Sequence, residues 1–245
     1  MPQDFRFSDD KIFEQLATTA GLSVCLMEAD GTIVYVNETA TKVYGGGTVE
    51  EHIGRRLDEV YPPEWAREKI ALLRRVAESG ERLVIRFIWN GKRVEAQYQR
   101  VDADTEGPTR ILVIAREGIT DDELLPEDFK IVTTGTAHFG PLAVLSPREL
   151  EVLALIGQGK SAKQIGEILT LSPRTVERHR DSIGKKLQKR DRVSLALIAQ
   201  AAGLELRDAH LTPVDPMLIQ RPSRTGLPSS EIEAKPDAGR KSPRV

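Results

Sequence analysis

The chain has 245 residues, 35 Lys and Arg against 37 Asp and Glu, and is 40% hydrophobic, which suits globular units joined by polar segments. Its one cysteine, Cys25, cannot form an internal disulfide or a multi-cysteine zinc site and agrees with a reducing, cytoplasmic setting. The start "MPQDFRFSDDK" lacks a basic-then-apolar leader, and no run approaches the roughly 18 apolar residues of a membrane span, so no membrane partner is expected. Charge is uneven along the chain: residues 1–145 carry 17 basic and 25 acidic side chains, whereas residues 146–204 carry 11 and 6. An acidic front and a basic rear read as two units with different partners.

In the front unit, residues 10–118, "LSVCLMEADGTIVYVN" gives two strand-like segments around Asp30-Gly31. "RLVIRFIWNGKRVEAQYQRV" gives two more around Asn90-Gly91. Both dipeptides tolerate the positive φ of a tight hairpin. "RILVIARE" supplies a fifth strand, and between the second and third lies a helix in "PPEWAREKIALLRRVAESG", closed by Gly80. Val94, Ala96 and Tyr98 alternate with Arg93, Glu95, Gln97 and Gln99, which predicts an antiparallel sheet with one buried and one wet face. Trp65, Trp89 and Cys25 are expected in the core, and His52, in a loop, at the surface.

This order of strands and helices, with Asn37 after the second strand, "KVYG" at 42–45 and "EEHIGRRLDEV" at 50–60, resembles a PAS domain. The resemblance implies a five-stranded sheet and flanking helices around a pocket, acting as a sensor or dimerisation module. A small-molecule ligand is implied, but no haem or flavin motif is found. Cys25 lies in the first strand rather than in the helix motif of flavin photoreceptors, and no histidine falls between Glu64 and Ser79, where haem-binding versions place one.

Residues 119–143 mix acids, Pro126, Gly135, Gly140 and Pro141 and show no helical repeat; they read as a linker. Many PAS proteins signal through a continuous coiled-coil helix at this place, and this sequence lacks one.

The rear unit, residues 144–205, shows four helix starts. Ser146 and Ser161 open capping boxes with Glu149 and Gln164, and Ser172 and Asp191 cap two further helices. The second and third helices, joined by "TLS", form a helix-turn-helix at about 161–180. In the third, "SPRTVERHRDSIGKKL", Val176, Ile183 and Leu187 make an inward stripe and leave Glu177, Arg178, Asp181 and Lys185 outward. By pattern alone this is equally a solvated amphipathic helix. "ALIGQGKS", residues 154–161, fits a loose nucleotide-binding P-loop, but it follows a helical pattern rather than a strand.

The string "LSPRELEVLALIGQGKSAKQIGEILTLSPRTVERHRDSIGKKL" closely resembles the LuxR-type (NarL/FixJ-like) DNA-binding domain. That resemblance implies a four-helix bundle whose third helix enters the major groove of double-stranded DNA. By position, Thr175, Glu177, Arg178, Asp181 and Lys185 become groove-facing residues, with Ser161, Lys163, Ser172 and His179 near phosphates. A sigma-factor promoter-reading domain opens similarly, but the Thr-Val-x-x-His signature argues against it.

The fourth helix, "RVSLALIAQAAGL", is apolar on two sides, Val193 with Leu197 and Leu195 with Ile198 and Ala202, so one side needs cover. Related domains commonly dimerise through this helix, and Val193, Leu197 and Ile198 are the expected homodimer contacts. The tail, 206–245, rich in Pro, Ser and mixed charge, reads as disordered.

The expected architecture is therefore an α+β, multi-domain chain: a PAS fold followed by an all-α helix-turn-helix bundle. The expected function is non-enzymatic, sequence-specific transcription regulation, with RNA polymerase as a further partner. The alternatives are a PAS sensor of flavin or haem type and a sigma-like promoter binder.

Overall fold

Two tight turns set the front sheet. Asn90 and Gly91 both take positive φ, 50° and 71°, the pair of left-handed residues that a two-residue hairpin needs, and they join β3 (Arg82–Trp89) to β4 (Lys92–Val101). At the first hairpin the Asp30 carboxylate accepts from the Thr32 amide at 2.9 Å, turning β1 (Ser23–Glu28) into β2 (Ile33–Val36). The computed structural model describes residues 10–101, 108–119, 121–189 and 191–215.

With β5 (Arg110–Glu117) these strands form the antiparallel PAS core, β2-β1-β5-β4-β3. Helix α1 (Asp10–Thr19) precedes it, and α2 (Glu38–Tyr44), α3 (Leu57–Val60) and α4 (Pro63–Ser79) cover its inner face. Asn37 caps α2: its side-chain oxygen accepts from the Ala40 and Val24 amides, both at 3.0 Å, and its amide donates to the Leu22 carbonyl. The first core lies between α4 and the sheet and contains Cys25, Trp65, Leu73, Ile85, Phe87, Trp89 and Ala96. Burial raises the Cys25 thiol to about 12, which leaves it a packed apolar group rather than a reactive thiolate. His52 is buried, not at the surface; its ring Nδ1 lies 2.8 Å from the Thr48 carbonyl and the ring sits against Tyr61.

Two further strands extend the five. Residues 119–143, expected as a linker, contain β6 (Phe129–Ala137), which pairs in parallel with β3, and β7 (Thr212–Pro213) adds a short parallel edge. The sheet order becomes β2-β1-β5-β4-β3-β6-β7, mixed rather than wholly antiparallel. Strand β6 escapes sequence reading because Phe-Lys-Ile-Val-Thr-Thr-Gly-Thr-Ala is only weakly apolar, and an edge strand against a preformed sheet needs little more.

The rear unit is four helices: α5 (Pro147–Gly157), α6 (Ala162–Leu169), α7 (Pro173–Lys186) and α8 (Arg192–Ala202). Its core gathers Leu150, Leu153, Leu155, Ile165, Val176, Ile183, Leu195 and Ala199. Ile88 from β3 and Phe139 and Leu142 from the stretch after β6 belong to this second core, so the hairpin tip of the PAS sheet is built into the helical unit. The first part of the expected disordered tail is ordered: Leu206–His210 form a 3-10 turn, with Asp208 and Ala209 buried. The rest of that tail, from residue 216, lies outside the described residues.

Candidate nucleic-acid interface

Local chemistry explains how α6 and α7 are held. The Ser161 hydroxyl accepts from the Gln164 amide while the Gln164 side chain accepts from the Ser161 amide, closing the capping box at α6. Ser172 caps α7 by accepting from the Thr175 amide at 3.1 Å, and its hydroxyl also bonds the Thr175 hydroxyl at 2.8 Å. Between the helices Thr170 turns left-handed, φ 56°, and the Leu171 carbonyl approaches Gly166 so closely that a Cβ there would lie 2.5 Å from it. Only glycine lets this turn close so tightly.

Glu149 fixes α7 against α5. Its carboxylate accepts from the Ser146 amide at 2.8 Å, from Ser182 Oγ at 2.6 Å and from Lys186 Nζ at 2.6 Å. Burial alone would raise this carboxyl, but the hydrogen bonds from Lys186, Ser182 and Ser146 outweigh it and bring it down to about 2. The stabilisation is therefore full above the ordinary Glu value of ~4.3 and is lost as pH falls through about 2. Urea midpoints of the wild type and Glu149→Gln should differ at neutral pH and converge in that acid window; a gap that stays constant down to the lowest pH would refute the linkage.

The outward face of α7 carries Arg174, Arg178, Asp181 and Lys185, all exposed and spaced four, three and four residues apart, hence on one stripe. Val176, Ile183 and Gly184 face inward. Thr175 and His179 are half-buried beside the stripe. Glu177 is also half-buried and is bound to Arg180 at 2.7 Å, so it leans along the helix surface. Lys163 and Ser161 are exposed at the start of α6, where free backbone amides and the helix dipole favour an anion. Arg174, absent from the residues expected from sequence, stands one turn before Arg178; the i−4 spacing was the signal for it.

"ALIGQGKS" spans the end of α5 and the start of α6 and has no strand before it, so it lacks the setting of a P-loop. Helix α8 resolves the two-sided pattern: Leu195, Ala199 and Ala202 face the core, Ile198 is half-buried, and Val193 and Leu197 are 68% and 60% exposed. Among the described residues no helix is long and apolar enough to cross a membrane, and no group of three or more His, Cys, Asp and Glu could hold a metal ion.

The two units meet through a buried ion pair. Arg93, on the outer face of β4, bonds the Asp208 carboxylate and donates to the Gly203 carbonyl at the end of α8 at 2.9 Å. On the same face Arg86 Nε donates to Glu95 at 3.0 Å and its other nitrogen meets Asp122 at 2.6 Å. The face expected to be wet is thus covered at Arg93 and Glu95, by the end of α8 on one side and by the segment after β5 on the other.

A stretch of the chain, residues 143–199, matches the family described as bacterial regulatory proteins, luxR family, and residues 18–120 match the PAS fold. The two matches follow one another along the chain, the PAS fold first and the luxR-family stretch after it. Among curated relatives, the transcriptional activator SolR of Ralstonia solanacearum is 45% identical over 62 residues, 25% of this chain and 26% of SolR. The nitrate/nitrite response regulator NarP of Escherichia coli is 31% identical over 109 residues, 40% of this chain and 51% of NarP. The chain therefore spans between a quarter and about half of the length of these two regulators. Among solved structures, a Vibrio cholerae VqmA dimer is similar at 20% identity and TM-score 0.40, covering 83% of this chain and 88% of that one. A VqmA–ligand–DNA complex from the same genus is similar at 18% identity and TM-score 0.46, covering 79% and 90%.

Proposed function

We propose that the chain is a sequence-specific, DNA-binding transcriptional regulator in which the PAS unit receives a signal and the helix-turn-helix reads DNA. The observation that carries this reading is the exposed stripe of Arg174, Arg178 and Lys185 on α7, buttressed by Val176 and Ile183 within luxR-family residues. Arg178, Asp181 and Lys185, with Thr175 and Glu177 beside them, read base edges: a guanidinium pairs two-pronged with guanine, and a carboxylate accepts from cytosine. Lys163, Ser161, Ser172 and His179 hold phosphates, release counterions and set register. Glu177 enters this work with its Arg180 bond already made, so it orients that arginine or exchanges it for a base.

Two copies pair through the exposed Val193 and Leu197 of α8, with Ile198 at the edge, which places two α7 helices on half-sites about one DNA turn apart. The test is binding of the protein and of Leu197→Glu to a duplex with two half-sites, at two salt concentrations. The wild type should bind as a dimer and weaken steeply with salt, and the variant should sediment as a monomer and lose the two-site complex. Salt-indifferent binding would overturn the DNA reading; a variant that still dimerises would overturn the role of α8.

A further inference from the structure

We propose that the aromatic core of the PAS unit is a collapsed binding site for a small planar aromatic carboxylate, with Lys69 as the cation that receives the acid group. This deepens the reading of the PAS unit as the input. It is tested by binding alone, so it stands or falls separately from the DNA reading.

Lys69 lies on the buried face of α4 and is 0% exposed, among the largest fully buried side chains of the described residues. Its Nζ has no hydrogen-bond partner. The neighbouring carboxylate does not serve it, because Glu68 is turned away to accept from the Gly135 amide and the Thr136 hydroxyl, each at 2.6 Å. The ammonium lies over rings: it sits 3.9 Å from the centre of Phe87 and 5.3 Å from that of Trp65. Burial draws the group down to about 7, against a smaller upward pull from Glu68. A methionine would fill the same space without desolvating an amine, so packing gives no reason for nitrogen at this position beyond the attraction of the two rings.

A second buried donor lies beside the first. Trp65 Nε1 is also without a partner, and Trp65 both shoulders Lys69 and lines a cavity of about 20 Å³ together with Tyr44, Tyr61 and Tyr98. That volume is room for about one water molecule, so the site is closed in this conformation. Lys69, Phe87 and Trp89 do not line the cavity itself but adjoin its aromatic lining: Trp65 and Trp89 have ring centres 4.8 Å apart and Trp65 and Tyr61 5.1 Å, both pairs tilted, and Tyr44 stacks on Phe87 at 6.4 Å. A planar ring entering between them exchanges one set of stacking contacts for another. Two orphaned donors one turn apart on the buried face of α4 match two oxygens on one group. An amine ligand would set like charge against Lys69, and a hydrocarbon would leave both donors unsatisfied.

The chain contains two tryptophans, and both belong to this cluster, so their emission reports the site directly. Titration of the full chain with benzoate should change that emission saturably, and benzamide, the neutral isostere, should bind more weakly by about tenfold or more, since a charged hydrogen bond outweighs a neutral one. Lys69→Met should melt at a higher temperature than the wild type, having lost an uncompensated buried amine, and should lose the preference for benzoate. Three results would overturn the proposal: no saturable response to benzoate, equal response to benzamide, or a Lys69→Met protein that binds benzoate as the wild type does. The benzoate–benzamide comparison uses wild-type protein and decides the matter even where the variant does not fold. A protein that binds benzoate with unchanged affinity for DNA keeps the site and removes only the input role.

Discussion

Replacing Arg178 by alanine should cost about 1–3 kcal/mol on the preferred duplex, roughly 5- to 150-fold in affinity, and little on unrelated DNA. The asymmetry is the informative part. Arg178 is exposed in the middle of the outward stripe of α7, four residues from Arg174 and seven from Lys185, so a helix lying in the groove brings its guanidinium to base edges. Lys163, exposed at the start of α6, is proposed to meet the backbone instead, and Lys163→Ala should weaken every sequence alike and lower the salt slope by about 1. Binding curves on preferred and scrambled duplexes at several salt concentrations separate the two roles. If both substitutions lower both affinities by the same factor, neither side chain reads sequence and α7 is not the reading element.

The second large effect should come from Arg93→Met, at the contact between the units. Arg93 is 3% exposed and Asp208 0%, and the guanidinium also holds the Gly203 carbonyl that ends α8. Burial outweighs the adjacent cation and holds the Asp208 carboxyl above its usual range, so the pair is maintained against a desolvation cost. Without Arg93, Asp208 must remain as an unpaired buried charge or take up a proton, and breaking a buried pair in this way costs about 3–5 kcal/mol. The double variant Arg93→Met with Asp208→Leu should recover much of that loss, because an apolar pair of similar volume no longer needs solvating. Urea unfolding of the two single variants and the double variant gives the coupling directly; a single variant within about 0.5 kcal/mol of wild type would show that the pair contributes nothing. Since the pair ties β4 to the end of α8, it is also a physical link between the PAS unit and the helix proposed as the dimer contact, with no continuous helix joining them among the described residues.

Local rules carried most of the elements. The Asn90-Gly91 turn, the caps at Ser146, Ser161, Ser172 and Asp191, and the inward Val176 and Ile183 depend on residues within a few positions of one another, so they are legible from spacing. The same reading placed the outward residues of α7 correctly on one stripe apart from Glu177, which an ion pair draws half under cover, and it passed over Arg174. Burial of His52, Arg93 and Glu95 was not legible, because each is buried by a partner distant in sequence or by loop packing that no alternation pattern encodes. Strand β6 was missed for a related reason: its pairing with β3 supplies the order that its own composition does not.

The sequence by itself determined that an acidic unit of hairpins and a basic unit of four capped helices follow one another, since turns, caps and hydrophobic periods are short-range consequences of side-chain geometry. Only the tertiary structure decided which side of α8 is left bare, that the outer face of β4 joins the two units through Arg93 and Asp208, and that Lys69 lies dry among aromatic rings. Those facts depend on which surfaces exclude water together, and that is settled by the packing of segments apart in sequence, by 115 residues in the case of Arg93 and Asp208.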